Sequence, residues 1–395
     1  MLRIADALNA DGYAIRVVST RFLDWATDAD TAVRRTRHWP WVTVDYSRRS
    51  GNRTRVWSGL RMRAVGVIGR AIGTAVPLSI AGNAYSRVHS ELVRAIRREP
   101  ADLIYAGTGT ALAAAAAASR RTGVPYALDL EDFHSGENGD ADPARDALAE
   151  KVERRVLPGA RFLTTASEPM QAAYRAKYGV AATVIHNVLP LPSPPQPRSR
   201  PSGDPLRLYW FSQTIGTGRG LESAVRACGL LSRRCELHLR GREAHGCLDS
   251  LRDLQRSVAP LLTLEHHPPA PPDDMVRLCA GYDVGLATEL PTSPNKVVCI
   301  SNKIFTYLAA GLPVASSDTP GQRVIAEQDP QAVRLFRPDD AASLAELLRC
   351  WTTGDDAALS AASRAAWNAA ARRWHWEHAE EQGALIALVR GALTT

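Results

Sequence analysis

The sequence has no apolar stretch long enough to cross a membrane and no signal peptide at its start. No run of about eighteen apolar residues occurs. Met1 opens directly onto Leu2-Arg3-Ile4-Ala5-Asp6 instead of an apolar core segment. All six cysteines lie in the second half, without the paired spacing of a zinc site, so we expect reduced and largely buried thiols. These absences predict a cytoplasmic protein.

Acidic residues are missing from Tyr46 to Ser90, although the whole chain has a formal charge of only +7. Eight arginines fall there among apolar side chains, a mixture typical of a surface that meets lipid headgroups or a phosphorylated substrate. A solvated, arginine-rich helix face would look the same. We expect residues 48–87 to contact an anionic membrane surface, which would place the protein on the inner membrane face. The predicted contacts are Arg53, Arg55, Arg61 and Arg63 with headgroups, and Trp57, Leu60 and Ile68 with the lipid boundary. Nucleic acid is not an expected partner, because no nucleic-acid-binding motif accompanies the charge.

The length of 395 residues is more than one typical core accommodates and predicts two domains. Strand-like and helix-like segments alternate over residues 1–189 and again over 206–373. This alternation predicts an α/β protein with two parallel sheets, each covered by helices on both faces. Seven prolines within residues 190–205 mark a linker, and residues 374–395 form a predicted last helix. We expect a ligand cleft at the carboxyl ends of both sheets.

Several boundaries within this alternation follow from local signals. Tyr13–Ser19 and Cys235–Arg240 are predicted strands, and Gly241 is expected to end the second of them. One helix is predicted from Tyr85 to Arg98, ending before Pro100.

The stretch from Ser301 to Asp318 reads as a short helix, a sharp stop and a buried strand. Ser301 is a suitable N-cap, and Gly311 with Pro313 would close the helix. The free N–H groups of such a helix start suit a phosphate, and Lys303 would add a mobile positive charge. An ordinary helix-to-strand turn remains the alternative.

Four segments, taken together and in order, resemble the GT-B glycosyltransferases of family four, the retaining group that uses nucleotide sugars. They cover residues 102–132, 164–188, 206–225 and 301–318. The resemblance implies two Rossmann-like parallel-sheet domains that face a cleft, and a last helix that crosses back to the first domain. The family's first strand and its glycine-rich loop have no counterpart before Met1. We therefore expect that the natural protein begins upstream, or that another segment fills this place.

The resemblance also implies roles for individual residues. The donor phosphates would be bound by Gly216, Gly218, Arg219, Gly220, Asn302 and Lys303. The donor nucleoside would be bound by Gln213, Gly241 and Thr306. Thr306 stands where the family has a glutamate that binds ribose, and Val298 replaces the family's other acid. The catalytic candidates are Glu131, Asp132 and His134, which would bind sugar hydroxyls in the cleft together with Glu137. A solvated acidic loop is the alternative for these residues.

The implied function is transfer of a sugar from a nucleotide diphosphate sugar to a small-molecule, glycan or lipid-linked acceptor, with retention of the anomeric configuration. No cofactor and no metal are expected, because the family binds the diphosphate with protein cations and helix dipoles. Two alternatives stay open, since both acids of the donor site are replaced. One is a non-catalytic relative that binds a ligand or partner, and the other is a relative that couples a nucleotide-activated cyclitol.

Overall fold

The computed structural model describes residues 1–24, 27–48, 52–72, 77–194, 203–352 and 357–394, with the backbone alone at 28–30, 32 and 66–72. The chain divides into two compact units. The first comprises Met1–Ile185, Ser293–Asn295 and Ala379–Thr395, and the second comprises His186–Thr292 and Lys296–His378. The middle of the predicted proline-rich linker, residues 195–202, lies outside the described residues.

The first unit alternates helices and strands. In chain order they are α1 (Leu2–Ala10), β1 (Val17–Arg21), α2 (Thr27–Arg35), β2 (Trp41–Asp45), α3 (Arg53–Ile72), α4 (Leu78–Tyr85), α5 (His89–Ile96), β3 (Ile104–Gly107), α6 (Gly109–Thr122), β4 (Tyr126–Leu130), α7 (Pro143–Val156), β5 (Leu163–Thr165), α8 (Glu168–Tyr178) and β6 (Thr183–Val184).

The strands of the first unit form two separate parallel sheets. Strands β1 and β2 make one pair, while β3, β4, β5 and β6 make a second sheet in that order. The expected first strand is thus missing from the described part of the sheet, and β1 does not pair with β3. The Met1 side chain lies close to Gly107 at the carboxyl end of β3, where a Cβ would come 2.7 Å from its sulfur. The start of α1 therefore lies beside the edge of the four-stranded sheet.

The second unit and the end of the chain follow the same alternation. The elements are β7 (Leu206–Ile215), α9 (Leu221–Leu230), β8 (Cys235–Glu243), α10 (Cys247–Val258), β9 (Leu262–His267), α11 (Met275–Cys279), β10 (Val284–Ala287), α12 (Pro294–Val298), α13 (Asn302–Ala309), β11 (Val314–Ser317), α14 (Pro320–Gln328), β12 (Val333–Phe336), α15 (Ala341–Thr352), α16 (Ala357–Arg372) and α17 (Ala384–Thr394). The start of α12 and all of α17 belong to the first unit.

The second unit contains one six-stranded parallel sheet in the order β12-β11-β10-β7-β8-β9. Its central strand β7 is buried, with Leu208, Tyr209 and Trp210 at most 1% exposed. Apolar side chains of α9, α10 and α15 pack with this sheet into one core. The parallel sheets of the two Rossmann-like units and their covering helices confirm the predicted α/β class. Among the described residues, no helix is long and apolar enough to span a bilayer.

Three predicted boundaries are wrong, for local reasons. The predicted helix Tyr85–Arg98 is two helices, because Ser86 is extended at the end of α4 and the His89 ring packs against Gly82. Strand β8 continues through Gly241, whose φ of 152° carries the backbone past the Ser212 carbonyl where the register of β7 shifts.

The predicted strand Tyr13–Ser19 begins later, at Val17, because the Tyr13 N–H still bonds to the Leu8 carbonyl at the end of α1. Strand β12 had no counterpart among the predicted strands. It pairs with β11 from Val314 onward and completes one edge of the six-stranded sheet.

Candidate functional site

The loop after β7 joins the central strand of the second unit to α9. Gly218 and Gly220 have positive φ values of 70° and 68°, which a residue with a side chain adopts only with strain. A Cβ on Gly220 would lie 2.6 Å from the Thr288 carbonyl oxygen. The Thr288 hydroxyl donates to the Arg219 carbonyl at 2.6 Å. The loop is therefore held against the residue that follows β10, and the half-exposed Arg219 side chain extends from it.

The start of α13 does not have the predicted cap. The Ser301 hydroxyl donates to Oε1 of Glu289 at 3.0 Å and makes no hydrogen bond to the helix N–H groups. The Ser301 N–H donates to Oε1 of Gln322 at 3.0 Å. The charge-assisted hydrogen bond to the carboxylate orients the hydroxyl toward Glu289 and away from the N–H groups of the first turn. The predicted helix stop is correct, since Gly311 has a φ of 66°.

Lys303 is buried and not mobile, which corrects the sequence-based expectation. Its ammonium lies 2.5 Å from Oε1 of Glu289 and 5.4 Å from the centre of the Trp210 ring. Lys296 lies 3.6 Å from the other oxygen of Glu289. Burial raises the pKa of Glu289, but the two lysines and the Ser301 hydroxyl outweigh it and bring that pKa to about 2. The cluster therefore holds an ionised carboxylate between two cations.

The other predicted donor residues lie on α13 near Glu289 and Lys303, and along β7 and β8. Asn302 is exposed in the first turn of α13, and its carbonyl accepts a hydrogen bond from the buried Thr306 hydroxyl at 3.1 Å. Gln213 is exposed on β7, next to the register shift, and Gly216 is half-exposed. The Gly241 carbonyl is occupied by Nε2 of His266 at 2.9 Å.

The structure therefore brings Gly218, Arg219 and Gly220 together with the start of α13 through Thr288 and Glu289. Sequence reasoning missed both of these residues. Their position directly after the buried strand β10 was the available signal, because the carboxyl ends of parallel strands share one edge of the sheet.

In the first unit, the carboxylates of Asp129 and Glu131 lie two residues apart at the carboxyl end of β4. Asp129 is buried and accepts a hydrogen bond from the Thr164 hydroxyl at 2.7 Å. Burial raises the pKa of Glu131, and the negative charge of Asp129 raises it further. Glu131 is thus a half-buried carboxylate that holds a proton more tightly than an exposed one.

Asp132 and His134 each have a defined partner. The Asp132 carboxylate accepts from Nδ2 of Asn295 at 2.8 Å, while Oδ1 of Asn295 accepts from the Phe133 N–H at 2.8 Å. Nδ1 of His134 lies 2.6 Å from Oε1 of Glu137. Burial lowers the pKa of His134, but the Glu137 carboxylate outweighs it and the pKa is raised. Nε2 of the same ring is buried and has no hydrogen-bond partner among the described residues.

The loop that carries Asp132 and His134 is held through two tyrosines by the buried carboxylate of Glu153, which sequence reasoning also missed. Glu153 is 1% exposed, and its two oxygens accept from the hydroxyls of Tyr174 at 2.6 Å and Tyr178 at 2.5 Å. The Tyr174 oxygen also lies 2.9 Å from the Asp132 carbonyl and 3.3 Å from the His134 N–H. Glu153 stands in the middle of a charged helix, α7, and nothing in the local sequence distinguishes it from its exposed neighbours.

The basic segment forms the long helix α3 and the elements that follow it. Among the described side chains of α3, three large apolar ones are exposed: Val56 by 60%, Trp57 by 67% and Leu60 by 52%. Arg53 and Arg63 are exposed on the same helix.

Not all of the predicted headgroup contacts are available. Arg61 forms an ion pair with Glu91 at 2.5 Å and donates to Asn83, so its charge is directed into the unit. Arg55 donates to the Tyr46 carbonyl at 3.2 Å. The Ile68 side chain lies outside the described residues.

Two comparisons with known proteins, one with a family model and one with solved structures, both point to glycosyltransferases. Residues 1–192 match the model of the glycosyl transferase 4-like domain. No curated protein matches the sequence.

Solved structures with the same fold are distant in sequence. HepE from Anabaena, crystallised with UDP and glucose, is 15% identical, with a TM-score of 0.64 over 96% of this chain and 100% of that one. Sucrose-phosphate synthase from Thermosynechococcus elongatus is 13% identical, with a TM-score of 0.66 over 96% and 99%. A glycosyltransferase from Rickettsia africae is 11% identical, with a TM-score of 0.65 over 100% and 94%.

Proposed function

Because residues 1–192 belong to the glycosyl transferase 4-like family and the chain has the GT-B fold, we propose that this glycosyltransferase moves a sugar from a nucleotide diphosphate sugar to an acceptor with retention of configuration. The observation that carries the donor assignment is the contact of the loop 216–220 with Thr288, beside the start of α13. Backbone N–H groups in a glycine-rich loop and at a helix start are suited to bind a diphosphate.

In the proposed reaction the bond from the anomeric carbon to the diphosphate breaks, and a bond to the acceptor oxygen forms. Positive charge develops on the sugar, and negative charge grows on the leaving diphosphate. The Arg219 guanidinium would stabilise that charge more in the transition state than in the ground state. The leaving phosphate would take the proton of the acceptor hydroxyl.

Glu131, Asp132 and His134 are the proposed residues for binding sugar hydroxyls. The Glu137 carboxylate holds a proton on Nδ1 of His134, so Nε2 accepts a hydrogen bond when the ring is neutral and donates one when the ring is protonated. In either state, a buried ring nitrogen without a partner among the described residues favours a ligand hydroxyl over an empty site, because a hydroxyl can both donate and accept.

Calorimetry with UDP, GDP, ADP and dTDP tests the donor assignment. We expect one of these nucleotides to bind, UDP first, because HepE was crystallised with it. Arg219→Ala should weaken binding and lower turnover together, by about 2–4 kcal/mol in the transition state. Arg226→Ala, at an exposed position of the adjacent helix α9, is the matched control. Absence of binding to all four nucleotides would favour a non-catalytic relative.

We also propose that the enzyme needs no metal ion and that it works on an anionic membrane surface. In the part of the chain that the structure describes, no three metal-ligating side chains come together. The membrane proposal rests on Trp57 and Leu60, flanked by Arg53 and Arg63 on the exposed part of α3.

Sedimentation with vesicles checks the membrane proposal, and added chelator checks the metal proposal. The protein should pellet with anionic vesicles and stay in solution with neutral ones, and Trp57→Ala with Arg63→Gln should abolish the difference. Arg256→Gln on the exposed face of α10 is the control. Equal recovery with both vesicle types would end the proposal. Turnover should be unchanged in excess EDTA.

A further inference from the structure

We propose that Lys303 serves the donor site as a positioning residue that acts through Glu289, and that it is not a ligand of the diphosphate. The inference rests on the proposed donor site. In it, Thr288 and Glu289 position the loop 216–220, here called the phosphate loop, relative to α13. It differs from the role that the sequence resemblance implies for Lys303.

The ion pair itself argues against a lysine that turns toward a ligand. The Lys303 side chain is 11% exposed and that of Glu289 is 12% exposed, and their charges lie 2.5 Å apart. If the ammonium moved to a phosphate, the buried Glu289 charge would lose its nearest cation, because Lys296 is 3.6 Å away and on the other oxygen. Leaving one member of a buried ion pair alone is strongly unfavourable. The Trp210 ring stabilises the ammonium where it is.

The pair lies next to the groups that hold the phosphate loop. Glu289 binds the start of α13 through Ser301 and Lys303. The preceding residue, Thr288, donates its hydroxyl to the Arg219 carbonyl, and its own carbonyl oxygen lies only 2.6 Å from the position that a Cβ of residue 220 would take. Residues 288–289 thus connect α13 to the loop. Loss of Lys303 would loosen this connection and move Arg219, although Lys303 itself touches no part of the donor.

The two roles predict different behaviour when both charges are removed. If Lys303 binds the diphosphate, its loss weakens UDP binding whether or not Glu289 is charged. If Lys303 is a positioning residue, its loss weakens UDP binding only while Glu289 carries a charge that needs a partner. Glu289→Gln keeps an oxygen that can accept from the Ser301 hydroxyl, so Lys303→Met together with Glu289→Gln removes the charges and retains the shape of the cluster.

The experiment compares UDP binding by calorimetry at about 50 and 500 mM NaCl, where screening of charge differs strongly. The proteins are the wild type, Lys303→Met, Lys303→Met/Glu289→Gln, and Arg219→Ala as the reference for a lost phosphate contact. We expect Lys303→Met to weaken binding by about tenfold or more, the size of a lost charge-assisted contact. The UDP affinity of the double variant should return to within about threefold of the wild-type affinity, with the same dependence on salt. In Arg219→Ala the UDP affinity should depend less on salt than in the wild type.

If Lys303→Met does not fold, the comparison of the double variant with the wild type and Arg219→Ala still decides whether Lys303 binds the diphosphate. A double variant that binds UDP as weakly as Arg219→Ala, with the same flattened salt dependence, would overturn the inference and leave the proposed function standing. A wild type that binds none of the four nucleotides would overturn the proposed function, and this inference with it.

Discussion

The sheet of the second unit is continuous, while that of the first unit is divided. In the second unit, β7 lies between β10 and β8, and its side chains Leu208 and Trp210 are buried. In the first unit, every residue of β1 is only half-buried, and β1 pairs only with β2 among the described strands. The same alternation of strands and helices thus produces strands of different burial in the two units. Two-stranded sheets have little stability of their own.

The largest expected effect is a cavity in the continuous sheet. Leu237 on β8 is fully buried, so Leu237→Ala should lower the free energy of unfolding of the second unit by about 2–5 kcal/mol. Val18→Ala on the half-buried strand β1 is the corresponding truncation, by two carbons instead of three, and it should cost less than about 1 kcal/mol. Urea unfolding followed by circular dichroism measures both. Equal costs would show that the divided sheet is packed as tightly as the continuous one.

A second effect is acid sensitivity of the second unit through Glu289. The folded pKa of about 2 lies below the 4.5 of a free glutamate side chain, so this carboxylate stabilises the fold fully above pH 4.5. That stability is lost as the pH falls from 4.5 toward 2, with a total of roughly 3 kcal/mol. Glu289→Gln should remove this part of the pH dependence of unfolding. A variant whose stability falls as steeply as the wild type's between pH 5 and pH 3 would contradict the assignment.

The smallest effect concerns the ion pair that joins β1 to β2. Burial raises the pKa of Asp45, but hydrogen bonds from Arg21 and Ser47 outweigh it and bring that pKa to about 2. Both side chains are close to one-third exposed, so Asp45→Asn should cost less than about 1 kcal/mol. The more sensitive measurement is hydrogen exchange. The amides of β1 and β2 should exchange well before those of β7 and β8 in the wild type, and faster still in the variant. Similar protection of the two sheets would remove the contrast between the units.

The sequence was sufficient for the features that depend on local pattern. Alternating segments predicted two units with parallel sheets, though not the division of the first unit's sheet, and the glycines at 218, 220 and 311 marked turns that have positive φ values. Features that depend on distant partners were not predictable. Lys303 has the residue type and position of a phosphate ligand, and only the fold shows that Glu289, fourteen residues earlier in the chain, holds its charge.

The same limit applies in the first unit. The Glu131-Asp132 pair was recognisable because it follows a buried strand, whereas Asn295 reaches Asp132 across 163 residues of sequence. The break between α4 and α5 depends on how the His89 ring meets Gly82, which no helix propensity encodes. The roles of the donor and acceptor residues remain predictions.

The cysteines provide a chemical probe that distinguishes the two units. All six belong to the second unit, where Cys228, Cys235, Cys247 and Cys279 are buried, Cys299 is half-buried and Cys350 is exposed. A thiol reagent should label Cys350 at once and reach the four buried thiols only when the second unit opens. Counting labelled thiols over time would therefore report the opening rate of one unit in the intact chain, with no signal from the other and no engineered label.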